Sequence, residues 1–183
     1  MSGVSVTIGG KTLECRQGDI SGQPDLDAVV NAANAELRPG GGVAGVLHRA
    51  AGPDLDRECR ALAPISPGEA VVTGAHNLPN RRVIHCLGPV YGRDEPSDRL
   101  LADCYRNALR LAERERLRSI GFPALSTGAF GYPVEPAARI AFATVLEELP
   151  ALSSLDRIRF VLYSPADLRI HETVLRELAP QGD

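Results

Sequence analysis

Residues 31–52 read NAANAELRPGGGVAGVLHRAAG. An apolar segment, DAVVNAAN at 27–34, leads into three adjacent glycines, and a run compatible with a helix follows. Glycine loses more conformational freedom on folding than any other residue, so three in succession need a steric or turn reason. A strand passing through a glycine loop into a helix supplies one. The first backbone N–H groups of a helix lack intrahelical partners, and with the helix dipole they form an anion site. The pattern predicts a buried strand within 27–34 and helices over 43–51 and 54–62.

The same alternation extends outward in both directions. VSVTIGG (4–10) and TLECRQGD (12–19) read as strands joined at Gly9 and Gly10, and EAVVTGA (69–75) and RRVIHCL (81–87) as two more. Over 100–114, Leu101, Cys104, Tyr105, Ala108 and Ala112 share one helical face. LRSIGFPAL (117–125) is a strand stopped by Pro123. Pro133 and Pro136 flank the start of a helix in which Ala138, Ala141, Phe142, Val145 and Leu149 keep helical spacing. RIRFVLYS (157–164) is the last strand, and Ser164 with Pro165 suits the cap and first turn of a closing helix. Strands alternating with helices give the α/β class: a three-layer α/β/α sandwich with a mixed, mainly parallel central sheet, one domain over 1–183. Ligands of such sheets lie beyond the carboxyl ends of the strands. A second small-residue loop, PALSTGAFGYP at 123–133, also joins a strand to a helix, so two anion-binding turns can face one cleft.

Composition narrows the ligand. At 183 residues the chain can bury a full core, and 44% hydrophobic and 23% charged residues are ordinary for a globular protein. No apolar run approaches the roughly 18 residues of a membrane span, and MSGVSVTIGG lacks the basic and apolar regions of a signal peptide. The expectation is a cytoplasmic monomer without a membrane partner. A net charge of −3 offers no broad basic footprint for nucleic acid. Cys15, Cys59, Cys86 and Cys104 have no metal-ligand spacing and fit reduced thiols; His76, His85 and His171 show none either. No metal or cofactor is called for. Lys11 is the one lysine, and none follows either glycine-bearing loop, which excludes a Walker-type phosphate loop. Main-chain amides and helix dipoles are left to hold the anion.

Five segments in order carry a family resemblance: GDI (18–20), DAVVNAAN (27–34), GGGVAGVLHRAAG (40–52), LPNRRVIHCLGPVYG (78–92) and ALSTGAFGYP (124–133). Together they resemble the macrodomain family, and within it the bacterial, mitochondrial and viral branch that removes ADP-ribose from proteins. The resemblance implies ADP-ribose and mono-ADP-ribosylated proteins as partners. Asp19 would accept from the exocyclic amine of adenine, the Ile20 amide would serve a ring nitrogen, and Tyr163 would stack on the base. Gly40, Gly41, Gly42 and Val43 would embrace the distal ribose and diphosphate from one side. Ser126, Thr127, Gly128, Ala129 and Phe130 would close from the other through backbone amides. Asn34, His48 and Phe130 would be the catalytic set. Asn34 would bind ribose hydroxyls, His48 would hold a water or hydroxyl, and Phe130 would pack on the distal ribose. Each has a plainer alternative: Asp19 and Asn34 as turn residues, His48 as a structural histidine, Phe130 as core and Tyr163 as a half-buried aromatic.

The chain departs from many bacterial relatives at Ala44, where GGGVAG replaces GGGVDG and its carboxylate. Viral members with the alanine pattern are hydrolases, so the resemblance implies water activated mainly by the substrate's own phosphate. The function implied is hydrolysis of mono-ADP-ribose from acidic side chains, with O-acetyl-ADP-ribose as a further substrate. The alternative is a reader that binds ADP-ribose, or a poly-ADP-ribose terminus, without chemistry.

Overall fold

A computed structural model describes residues 3–180. Seven strands form one sheet: β1 (Ser5–Ile8), β2 (Lys11–Gln17), β3 (Ala28–Ala32), β4 (Ala70–Gly74), β5 (Arg82–Cys86), β6 (Ser119–Phe122) and β7 (Arg157–Leu162), in the spatial order β1-β2-β7-β6-β3-β5-β4. The five inner strands run parallel, and β1 and β4 pair antiparallel at the two edges. The sheet is therefore mixed and mainly parallel, as the sequence pattern requires. Parallel strands place all five carboxyl ends on one rim, where the loops after Gln17, Ala32, Cys86, Phe122 and Leu162 meet.

Helices α1 (Gly42–Ala51) and α2 (Pro53–Arg60) cover one face. Helices α3 (Ser97–Arg114), α4 (Val134–Glu148) and α5 (Pro165–Leu178) cover the other. Alternation along the strands sorts the core between the two faces. Val29, Val83 and Val161 pack beneath α1 and α2, while Val30, Ile84 and Phe160 face α3–α5. On the α3–α5 face, Phe160 stacks on Phe122 at 5.5 Å and meets Phe142 at 4.6 Å, with Tyr105 5.0 Å from Phe122.

Local chemistry explains the boundaries. Gly52, at φ 85°, separates α1 from α2, and Pro53 occupies the first turn of α2, where its missing N–H costs nothing. α3 begins at Ser97, earlier than its first apolar face residue, because Pro96 caps it and Asp98 favours its amino end. The predicted cap at Ser164 is present: its hydroxyl oxygen accepts from the Asp167 amide at 3.1 Å. The four cysteines are buried free thiols, and burial pushes Cys15 and Cys104 up to about 12 and Cys59 to about 11, so they stay protonated.

Candidate functional site

A cleft of about 770 Å³ opens on the carboxyl rim, a volume suited to a small-molecule ligand. Its walls come from residues 18–20, 32–34, 41–43, 123–130 and 161–163, so four of the five rim loops contribute whole segments. Gly88, from the loop after β5, completes it.

The loop before α1 is shaped by main-chain geometry. Leu37, buried and at φ 55°, pins its middle, and the Asn34 side chain closes it at both ends. Asn34 Nδ2 donates to the Arg38 carbonyl at 2.9 Å, and Asn34 Oδ1 accepts from the Arg38 amide at 3.0 Å. Gly42 lies at φ 57°, where a β-branched side chain would be strained. Gly45 is demanded by contact, since a Cβ there would collide with the Gly40 carbonyl oxygen. Gly41 caps α1 in extended conformation with no side-chain acceptor, so the first-turn amides stay available to a ligand. Gly40 stands behind this wall, where a Cβ would lie 3.3 Å from Asn34 Nδ2.

The opposite loop is held by side chains. Ser126, at φ 68°, donates its hydroxyl to the Pro89 carbonyl at 2.8 Å, and a Cβ on Gly88 would strike that hydroxyl. Thr127 Oγ1 donates to the Ala124 carbonyl at 2.8 Å, and the Leu125 amide donates to the Tyr105 hydroxyl at 3.2 Å. Backbone bonds from Tyr132 to Ser126 and from Gly131 to Gly128 tie off the turn. The amides of Gly128, Ala129 and Phe130 find no partner among the described residues and belong to the cleft wall. Two sets of unpaired N–H groups therefore bound the cleft from opposite sides.

At the far end, Asp19 Oδ1 accepts from the Ser21 amide (2.8 Å) and hydroxyl (2.7 Å), so the turn role is real. Its Oδ2 makes no hydrogen bond among the described residues. Buried Ile20 lines the cleft beside it. Tyr163 is 87% exposed, so its ring stands at the mouth unsupported by the core, unlike a half-buried structural aromatic. Phe130 lines the cleft and also packs against the core beneath α1 and α2.

His48 is the correction. It does not line the cleft; it is 6% exposed, and neither ring nitrogen has a hydrogen-bond partner. At 3.6 residues per turn, Val43, Val46 and Arg49 share the cleft side of α1, while Ala44, Leu47, His48 and Ala51 are buried. Burial holds the His48 pKa below its usual value, with nearby Asp56 opposing. Ala44 shares that buried side, which removes its methyl from the wall as well.

Arg49 and Asp167 also line the cleft and had no signal in the one-dimensional pattern. Arg49 makes no ion pair among the described residues and is the one cation on the wall, so the amides do not act entirely without positive charge. Gly40, Gly42 and Gly45 also match the spacing G-x-G-x-x-G of dinucleotide turns. That fingerprint follows its strand directly, whereas a folded loop separates Ala32 from Gly40 here.

The Macro domain model matches residues 30–141. The chain belongs to the Macro domain family. Among relatives, O-acetyl-ADP-ribose deacetylase of Citrobacter koseri is 43% identical over 93% of this chain and 97% of its own. The ADP-ribose glycohydrolase MACROD2 of Xenopus laevis is 44% identical over 90% of this chain, which spans 40% of that longer protein. The Oceanobacillus iheyensis macrodomain with ADP superposes with a TM-score of 0.93 at 37% identity, covering 97% of this chain and 96% of that one. These matches place the chain among MacroD-like macrodomains.

Proposed function

We propose that this macrodomain binds ADP-ribose and hydrolyses mono-ADP-ribose from acidic side chains of modified proteins. One observation carries the reading: two loops at the carboxyl rim present unpaired amides across one cleft, at the start of α1 and at Gly128–Phe130. That arrangement fits a diphosphate, because charge-assisted bonds from backbone N–H groups contribute about 1.5–3 kcal/mol each. Tyr163 is free to stack on adenine, Oδ2 of Asp19 to accept from its exocyclic amine, and Phe130 to flank the distal ribose. The relatives named as glycohydrolase and deacetylase support hydrolytic chemistry in such a cleft.

In the proposed reaction, water attacks the anomeric carbon of the distal ribose as the bond to the carboxylate oxygen breaks. The electron pair leaves with the carboxylate, and a diphosphate oxygen takes the water proton. Asn34 has already spent one N–H and one lone pair on Arg38, and its second N–H and second lone pair remain for ribose hydroxyls. Its amide is thus fixed by the loop, which supports a role in orienting the sugar. The same water, aimed at an acetyl carbonyl on that ribose, would release acetate. The second reading, a reader without chemistry, draws on Ala44, which brings no carboxylate to the water.

Calorimetry should give a micromolar Kd for ADP-ribose, near −8 kcal/mol. A glutamate-modified protein should release its label when incubated with this macrodomain; binding with full retention of label would establish the reader instead. Asn34→Ala should lower turnover about a hundred-fold while changing ADP-ribose affinity far less. Undiminished turnover would remove Asn34 from the chemistry.

A further inference from the structure

Arg159 is a cation buried beneath the sheet rim that no step above uses. It lies on β7 opposite Glu14 of β2 in the strand register, and it is 1% exposed. Its Nε donates to Glu14 Oε1 at 2.8 Å. Its terminal nitrogens reach Asp25 Oδ1 and Oδ2 at 2.9 and 2.6 Å, and one of them also reaches Gln23 Oε1 at 2.8 Å. Glu14 is shared with Arg16 and Arg157, at 3.5 and 3.6 Å, so Asp25 supplies the second carboxylate of the cluster. The second carboxylate and the amide both come from the loop that carries Asp19, so the cation grips that loop with a rigid fork.

The grip continues to the cleft. Gln23 turns its other end outward, and Nε2 donates to the Asp19 carbonyl oxygen at 2.9 Å. From the opposite side Asn80 Nδ2 donates to the carbonyls of Gln23 and Leu26, each at 2.8 Å. Leu26 presses so closely on β6 that a Cβ on Gly121 would come within 2.7 Å of it. The segment bearing Asp19 and Ile20 is anchored to the sheet by the Gly18 amide on the Leu162 carbonyl at 3.0 Å and by the buried Ile20 side chain, and Gln23 adds a side-chain tie whose two ends do different jobs.

We propose that Arg159, acting through Gln23, is a positioning residue that fixes the Asp19–Ile20 edge and thereby sets the base specificity of the cleft. The proposal rests on the reading that this edge receives adenine. Its test is the ratio of affinities for ADP-ribose and inosine diphosphate ribose, whose base carries a carbonyl oxygen in place of the amine. The wild-type protein should favour ADP-ribose about ten-fold or more. Gln23→Glu keeps the acceptor facing Arg159 and replaces the donor to Asp19 with an oxygen that repels its carbonyl, so the ratio should fall several-fold, with Tm measured alongside to show that the variant is folded. Gln23→Ala should lower it similarly. Arg159→Met strands a buried carboxylate and is expected to fold poorly, so the Gln23 variants carry the test. A merely structural role would weaken both ligands equally and leave the ratio unchanged, and that result overturns the proposal alone. A wild-type protein that binds both equally overturns the proposal together with the adenine reading.

Discussion

The two faces of the sheet are built from different chemistry. The strand residues facing α3–α5 are aromatic and aliphatic, with Phe122 and Phe160 clustered with Tyr105 and Phe142 of the helices and the buried His171 ring beside them. The strand residues of the opposite face include a polar set: Glu14 and Arg159, then Asn31, Thr73 and His85. The Asn31 amide donates to His85 Nδ1 at 3.0 Å, leaving Nε2–H to face Thr73 Oγ1 at 2.9 Å. The loops carrying Asp19 and Asn34 stand over this polar face. Apolar burial has no direction and sets stability, whereas hydrogen bonds and forked ion pairs have direction and set where a loop points. The contrast separates apolar strand packing from the directional bonds at the Asp19 and Asn34 loops, with the Tyr105 hydroxyl carrying the second role into the aromatic layer at the Leu125 amide.

Three perturbations test that division. Phe160→Ala should have the largest effect, costing about 3–5 kcal/mol of stability and lowering Tm by roughly 10 °C. Below the new melting temperature, calorimetry should find ADP-ribose affinity within about two-fold of wild type. A large affinity loss would mean that the two layers are not separate. Gly42→Val should do the reverse. Its φ of 57° is strained for a β-branched residue by about 1–3 kcal/mol, so affinity should fall roughly 5–150-fold, with a smaller drop in Tm.

The third perturbation is acid. Burial, with a smaller contribution from His48, lowers the His85 pKa to about 3. The unfolded chain has its histidines near 6.5, so between these values it binds the proton that the folded protein refuses. Stability from this group is complete above pH 6.5 and declines as pH falls toward 3, by at most about 1.4 kcal/mol per pH unit. His48 and His171 are shifted in the same direction and steepen the decline. Thermal denaturation of His85→Gln across this range should give a shallower slope than wild type. An unchanged slope would show that the polar layer takes up the proton at little cost.

Much of the molecule was legible in one dimension. Strand and helix positions follow from periodicity, the amino end of α5 from Ser164–Pro165, and the two cleft loops from small residues placed after strands. Among site residues, Asp19, Ile20, Asn34, Gly41, Gly42, Val43, Ser126–Phe130 and Tyr163 are brought to one cleft. Gly40 falls just behind the wall. His48 follows the glycine loop by one helical turn, and that proximity in sequence suggested a role that the seating of α1 denies. No local pattern distinguishes Val46 and Arg49 from Leu47 and His48 until the helix is docked.

By itself, then, the sequence determined the order of elements, the small-residue turns at the strand ends and the lack of lysine beside them. Those features depend on backbone preferences and spacing within a few residues. Tertiary structure alone decided which side of α1 meets the cleft, that the Asn34 amide is braced by its own loop, and that Arg159 reaches Gln23 from 136 positions away. Side-chain direction and long-range hydrogen bonding exist only after the layers have packed, because only packing brings distant donors and acceptors within reach.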